Sequence, residues 1–340
     1  MPERSVKKLG YVPALDGLRG VAIGLVVVYH AGLLEGGFLG VDLFFVLSGF
    51  LITTLLLEEH AASGAISLRR FYVRRARRLL PALLALLAIL TIGAVATSPV
   101  NTALLGDIGW TLAYAANFVR ASGHHFLTPL TTMWSLAEEE QFYFLWPGIL
   151  ILCLARFTPR RIGWTLLAAA CLVCAWRATL TLSGASTQRI VFSPDSHFDP
   201  LLVGCALAFL RRARPRLPLA WPIAGPLLAA VVAFAVGGSR FALLAGYSLA
   251  GLACAGLVSD AAAGRARALA WRPLVWLGKI SYSLYIWQAL AFAVAYATNR
   301  PLPIFLPVAV GLAWLSYRYV EQPFRRATRR VKAPAVPAVV

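Results

Sequence analysis

The feature that most constrains this chain is the regular recurrence of long apolar runs. Eleven can be drawn, at about 14–34, 38–57, 79–97, 104–119, 142–157, 162–182, 198–210, 219–236, 241–258, 274–297 and 303–320, with short polar breaks between them. Runs of roughly 18–22 residues match about 30 Å of hydrocarbon crossed at 1.5 Å per residue. In that solvent the backbone must satisfy its own polar groups, so the runs are expected to be helices. Apolar residues fill 59% of the 340 positions, against roughly 45–50% in soluble domains, and the excess lies in these runs. The expected fold is all-α, a polytopic integral membrane helix bundle.

Charge decides how many runs cross. With all eleven crossing, the loops carrying Arg156, Arg160 and Arg161 and carrying Arg211, Arg212, Arg214 and Arg216 fall outside, against the positive-inside rule. Treating 104–119 as re-entrant or interfacial removes the conflict, and that segment is short and carries Asp107 and Asn117. The cytoplasmic side then holds 24 of the 32 Lys and Arg, the outer side 4 and the spans 4. This predicts about ten transmembrane helices in the plasma membrane, with both termini cytoplasmic. The net charge of +18 is read as a topology signal and not as nucleic-acid binding, because it lies between apolar runs. Asp16 and Arg19 enter the first run, which argues for a retained span over a cleaved leader. Residues 1–330 read as one membrane domain and 331–340 as a disordered tail. The five cysteines sit in apolar stretches without ligand spacing, so no metal is expected.

Ionisable groups inside hydrocarbon cost about 2.5–3.5 kcal/mol each on insertion scales, which makes them functional candidates. Arg19 and His30 lie eleven residues apart in the first run, on one helical stripe and roughly 16 Å apart along the axis. The bland readings are an anchor paired with Asp16 and a packed histidine. Gly20 and Gly24 have the spacing of a close helix contact. A turn at Gly36 and Gly37 brings Asp42 to the depth of His30, so Asp42 is expected to orient that imidazole as a general base. The loop RRFYVRRARRLLP offers Arg74, Arg75 and Arg78 to a lipid headgroup or to the phosphates of a cosubstrate. The stretch MWSLAEEEQFYFLWP carries Glu138, Glu139 and Glu140 among Trp134 and Tyr143, a combination suited to a hydroxyl-rich acceptor. It reads as an outer loop. Asp199 stands at the outer mouth of a later span.

Together these stretches resemble the acyltransferase 3 family, membrane O-acyltransferases similar to bacterial O-antigen and peptidoglycan O-acetylases and to macrolide acyltransferases. The resemblance runs from Leu15 to about Arg326, through ALDGLRGVAIGLVVVYH, GVDLFFVLSGFLI, FYVRRARRLLP, WSLAEEEQFYFLWP and SYRYVEQPF. It implies transfer of an acyl group, usually acetyl, from cytoplasmic acyl-CoA to a hydroxyl of a glycan or secondary metabolite. No metal is implied. His30, Asp42 and Glu139 would carry the chemistry. Arg19, Arg74, Arg75 and Arg78 would hold the cosubstrate, and Glu138, Glu140, Trp134, Tyr143 and Asp199 the acceptor. Three positions depart from the usual pattern: Glu138 replaces an apolar residue, His197 an arginine and Gln288 a histidine. The hydrolase-like domain fused to some members is not in this sequence, so transfer is expected either directly to the acceptor or to a separate extracellular partner. A transporter or flippase of a lipid-linked glycan is the competing reading. Release of coenzyme A separates the two.

Overall fold

The computed structural model describes residues 9–96, 99–127, 129–213 and 217–325. The expected tail, 331–340, lies outside the described residues. Within them the chain is all helical and contains no strand. The helices are α1 (Pro13–His30), α2 (Gly40–Ser63), α3 (Leu68–Ala96), α4 (Thr102–Leu112), α5 (Ala116–Ala121), α6 (Met133–Arg156), α7 (Pro159–Leu182), α8 (Thr187–Val191), α9 (Pro194–His197), α10 (Asp199–Ala213), α11 (Trp221–Phe234), α12 (Tyr247–Ala262), α13 (Arg272–Lys279), α14 (Ser281–Ala297) and α15 (Leu306–Leu315). A 3-10 turn, Glu35–Leu39, precedes α2, and π-helical turns run through Ala242–Gly246 and Ser316–Glu321.

Among the described residues, four stretches are long and apolar enough to cross a bilayer: Glu35–Ser63, Leu68–Ala96, Pro159–Leu182 and Ala242–Ala262. The pair α13 and α14, bent by 71° at its break, makes a fifth. The outward faces carry large apolar side chains, with Phe144 71%, Leu172 71% and Ile92 70% exposed. Water would penalise such a surface, and lipid does not. The segment 104–119 falls on α4 and α5, of 11 and 6 residues, parted near Tyr114, whose φ is +51°. Eleven residues reach only about 16 Å, so neither helix spans alone.

Glycines set the closest crossings. On α2 and α10, a Cβ at Gly49 would meet the carbonyl oxygen of Leu201, and one at Gly204 that of Val46. On α1 it is Gly17 and Gly20 that meet backbone, the carbonyls of Leu269 and Leu274, while Gly278 of α13 meets Asp16. A Cβ at Gly24 would meet no other helix within 4 Å among the described residues, so the expected Gly20–Gly24 contact is corrected to Gly17–Gly20. Gly204→Ala is expected to cost about 1–3 kcal/mol by overpacking. Gly24→Ala is expected to be neutral or to add up to about 1 kcal/mol. Thermal unfolding in detergent checks the pair, and equal melting shifts would contradict this reading of the crossings.

Candidate active site

Among the described residues, cavities lie in the bundle at each end of α1. The first, about 290 Å³, is lined by Arg19, Arg75 and Arg78. The second, about 460 Å³, is lined by His30, Asp42 and His197. One helix thus carries Arg19 into one cavity and His30 into the other, which accords with the roughly 16 Å that eleven residues put between them.

In the arginine-lined cavity, Arg75 and Arg78 stand one turn apart on α3, beside Arg19, which is paired with Asp16 at 2.9 Å. The Arg75 guanidinium lies 3.5 Å from the centre of the Tyr143 ring, within cation–π range. The Tyr143 hydroxyl is 2.8 Å from Ser48 Oγ, and both hydroxyls converge on Glu139 Oε1. Arg74 is corrected. It points away to Glu59 at 3.5 Å, which Arg70 also reaches at 3.1 Å, and it lines neither cavity.

The acidic stretch is also corrected. It is no loop but the first half of α6, and consecutive helical residues face different ways, about 100° apart. Glu139 and Tyr143, one turn apart, face the arginine-lined cavity and not His30. Glu140 lines neither cavity. Glu138 is wholly buried among the charges of His197, Asp42 and Asp199, with neither carboxylate oxygen hydrogen-bonded among the described residues. Of the acceptor group, Trp134 alone lines the histidine-lined cavity.

His30 Nδ1 donates to the Val26 carbonyl at 2.8 Å. A carbonyl only accepts, so the proton is fixed on Nδ1 and the Nε2 lone pair is left available. The expected Asp42–His30 pair does not form. Both residues line one cavity, as the hairpin geometry requires, but Asp42 Oδ1 is 3.3 Å from His197 Nε2. His197 Nδ1 donates to the Val191 carbonyl at 2.9 Å. One proton therefore lies between Nε2 and Oδ1, and the pair is neutral as a unit. Trp134 stacks on the His197 ring, and Tyr247 and Phe45 meet it edge-on. Glu138 and His197, two of the three departures from the family pattern, are thus near enough to feel each other's charge. The third, Gln288, is fully buried with neither amide atom hydrogen-bonded among the described residues.

Asp199 is likewise not free for an acceptor. Arg177 holds both its oxygens, at 2.6 and 3.0 Å, and spends its other donors on the Ser196 carbonyl (2.8 Å), the Ser248 hydroxyl (2.7 Å) and the Leu243 carbonyl (3.2 Å) in the π turn. Sequence reasoning counted Arg177 only as a charge inside a span. Its place in mid-run was the available signal, and its partner was not legible. Arg120, counted only as an outer-loop charge, lines the histidine-lined cavity. It is held by the Thr131 carbonyl and lies 4.1 Å from the centre of the Phe192 ring.

The chain is 31% identical over 351 residues to O-acetyltransferase OatA of Staphylococcus aureus (strain NCTC 8325 / PS 47), covering 93% of this chain and 57% of that one. It is equally 31% identical over 351 residues to peptidoglycan O-acetyltransferase OatA of Listeria monocytogenes serovar 1/2a, covering 93% and 56%. The chain thus spans little more than half the length of these relatives. No solved structure matches it. A family model described as an acyltransferase domain covers residues 12–318, a stretch that contains Arg19, Arg75 and Arg78 of one cavity and His30, Asp42 and His197 of the other, and the chain belongs to the acyltransferase 3 family.

Proposed function

We propose that the protein is a membrane-bound O-acyltransferase that moves an acyl group, acetyl first among them, from acyl-CoA to a hydroxyl of a glycan or secondary metabolite. The observation that carries the reading is the pair of cavities meeting inside one bundle, with guanidinium groups in one and an imidazole bearing a free nitrogen in the other. With ten spans and both termini cytoplasmic, the arginine-lined cavity opens to the cytoplasm and the histidine-lined cavity to the outside. Arg19, Arg75 and Arg78 then hold the phosphates, since guanidinium forks suit them. The thioester reaches His30 through the bundle, and the acceptor enters beside Trp134.

His30 Nε2 takes the proton of the acceptor hydroxyl as its oxygen attacks the thioester carbonyl carbon. The carbon–sulfur bond breaks, and the proton passes from His30 to the departing sulfur. The products are the ester and coenzyme A. Similarity to proteins named as O-acetyltransferases supports acetyl as the group moved.

The test is coenzyme A release from acetyl-CoA by purified protein in nanodiscs, with and without hydroxyl acceptors. Release that depends on acceptor and is lost in His30→Ala supports the reading. Equal release by both proteins would remove His30 from the chemistry. The arginines make a separate prediction. Arg78→Gln is expected to raise the KM for acetyl-CoA about tenfold or more, the loss of one charge-assisted hydrogen bond. Arg74→Gln, facing Glu59, is expected to change it less than about threefold. Equal shifts in the two variants would count against the placement of the phosphates.

A further inference from the structure

Val41 and Tyr285 are the two residues that line both cavities. Both are nearly buried, 8% and 9% exposed. They come from different helices, Val41 from the start of α2 and Tyr285 from the first turns of α14, just beyond the 71° bend. The Tyr285 ring is pinned. Its hydroxyl donates to the Thr132 carbonyl at 2.6 Å and accepts from Ser135 Oγ at 2.5 Å. Thr132 lines the histidine-lined cavity and Ser135 the arginine-lined one. The phenol is thus fastened to the N-cap and first turn of α6, on both sides of the boundary.

We infer that Val41 and Tyr285 form the aperture between the two cavities and select the acyl group by its cross-section, not its length. The inference rests on the acyl-transfer reading. A thioester held by Arg75 and Arg78 that moves from one cavity into the other towards His30 passes the residues the two share, acyl end first. A straight acyl chain is no wider than the pantetheine arm that follows it, and the 460 Å³ beyond the aperture has room for it. A chain branched beside the carbonyl, or an aromatic ring, is wider than the arm and must displace either the Val41 side chain or the fastened Tyr285 ring. Close-packed interiors resist such displacement.

The test compares acetyl-, butyryl- and pivaloyl-CoA as donors, with coenzyme A release in the presence of acceptor as the readout. Wild type is expected to use butyryl and to reject pivaloyl. Val41→Ala widens the aperture, and Tyr285→Phe removes both fastening hydrogen bonds. Each is expected to raise the pivaloyl-to-acetyl ratio of kcat/KM about tenfold or more, the scale on which a pocket discriminates a methyl-sized difference. The ratio is internal to each preparation, so a reduced fraction of folded protein does not alter it. Wild-type use of pivaloyl as readily as acetyl overturns the inference, as does a ratio moved less than about fivefold in both variants, and either result leaves the acyl-transfer reading in place. Wild-type protein that releases no coenzyme A from any of the three donors overturns the acyl-transfer reading itself.

Discussion

His30→Gln is expected to lower acceptor-dependent release of coenzyme A by about 10²–10⁴-fold, the range that positioned general acid–base groups contribute. The size follows from the ring's attachment. With Nδ1–H committed to the Val26 carbonyl at 2.8 Å, Nε2 is the one basic atom the residue offers to the cavity. Glutamine can keep a hydrogen bond to the carbonyl but brings no basic nitrogen. The loss should fall on kcat, because the groups proposed to hold the phosphates lie roughly three turns of helix away. A variant that kept more than a tenth of wild-type turnover would show that another group takes the proton, and the His197–Asp42 pair would be the next to test.

The largest effect on stability is expected at Arg177. Its side chain and that of Asp199 are 2% and 4% exposed. Removing one partner of a buried ion pair leaves an uncompensated charge, at about 3–5 kcal/mol. Arg177→Met strands the Asp199 carboxylate and also frees the Ser196 and Leu243 carbonyls. A marked fall in the midpoint of thermal unfolding in detergent is expected. The double variant Arg177→Met with Asp199→Leu should recover much of it, since an apolar pair of similar volume often replaces a buried ion pair at little cost. No recovery would mean that the two carbonyls, and not the carboxylate, dominate. The clamp also bears on the site. Ser196 and Asp199 flank His197, so Arg177 fixes the segment that sets the imidazole against Asp42. Arg177→Met is therefore expected to lower activity even in the fraction that remains folded.

The sequence by itself determined the all-helical class and the placement of the central pair, while the arginine-rich and acidic stretches it reads as loops are the first halves of α3 and α6. Apolar runs of bilayer length leave the backbone no alternative to helix, and Arg19 and His30 share a stripe because eleven residues make nearly three whole turns. The turn at Gly36 and Gly37 likewise placed Asp42 at the depth of His30. Each of these is a local relation, fixed by pitch and chain length. What only the tertiary structure decided is which groups meet. Asp42 turned to His197 and not to His30, because α2 crosses α10 closely at Gly49 and Gly204 while the Val26 carbonyl had already taken the His30 proton. The three glutamates read as one cluster in the sequence, yet as consecutive residues of a helix they face apart, and Glu139 alone of the three lines either the arginine-lined or the histidine-lined cavity. Arg74 and Arg75 look equivalent in sequence, and a rotation of 100° sends one to Glu59 and the other to Tyr143. Pairings such as Arg177 with Asp199, or Tyr285 with Thr132 and Ser135, join residues 22 and about 150 positions apart. No periodicity encodes such contacts, because they depend on the crossing angles and rotations of whole helices, which only packing fixes.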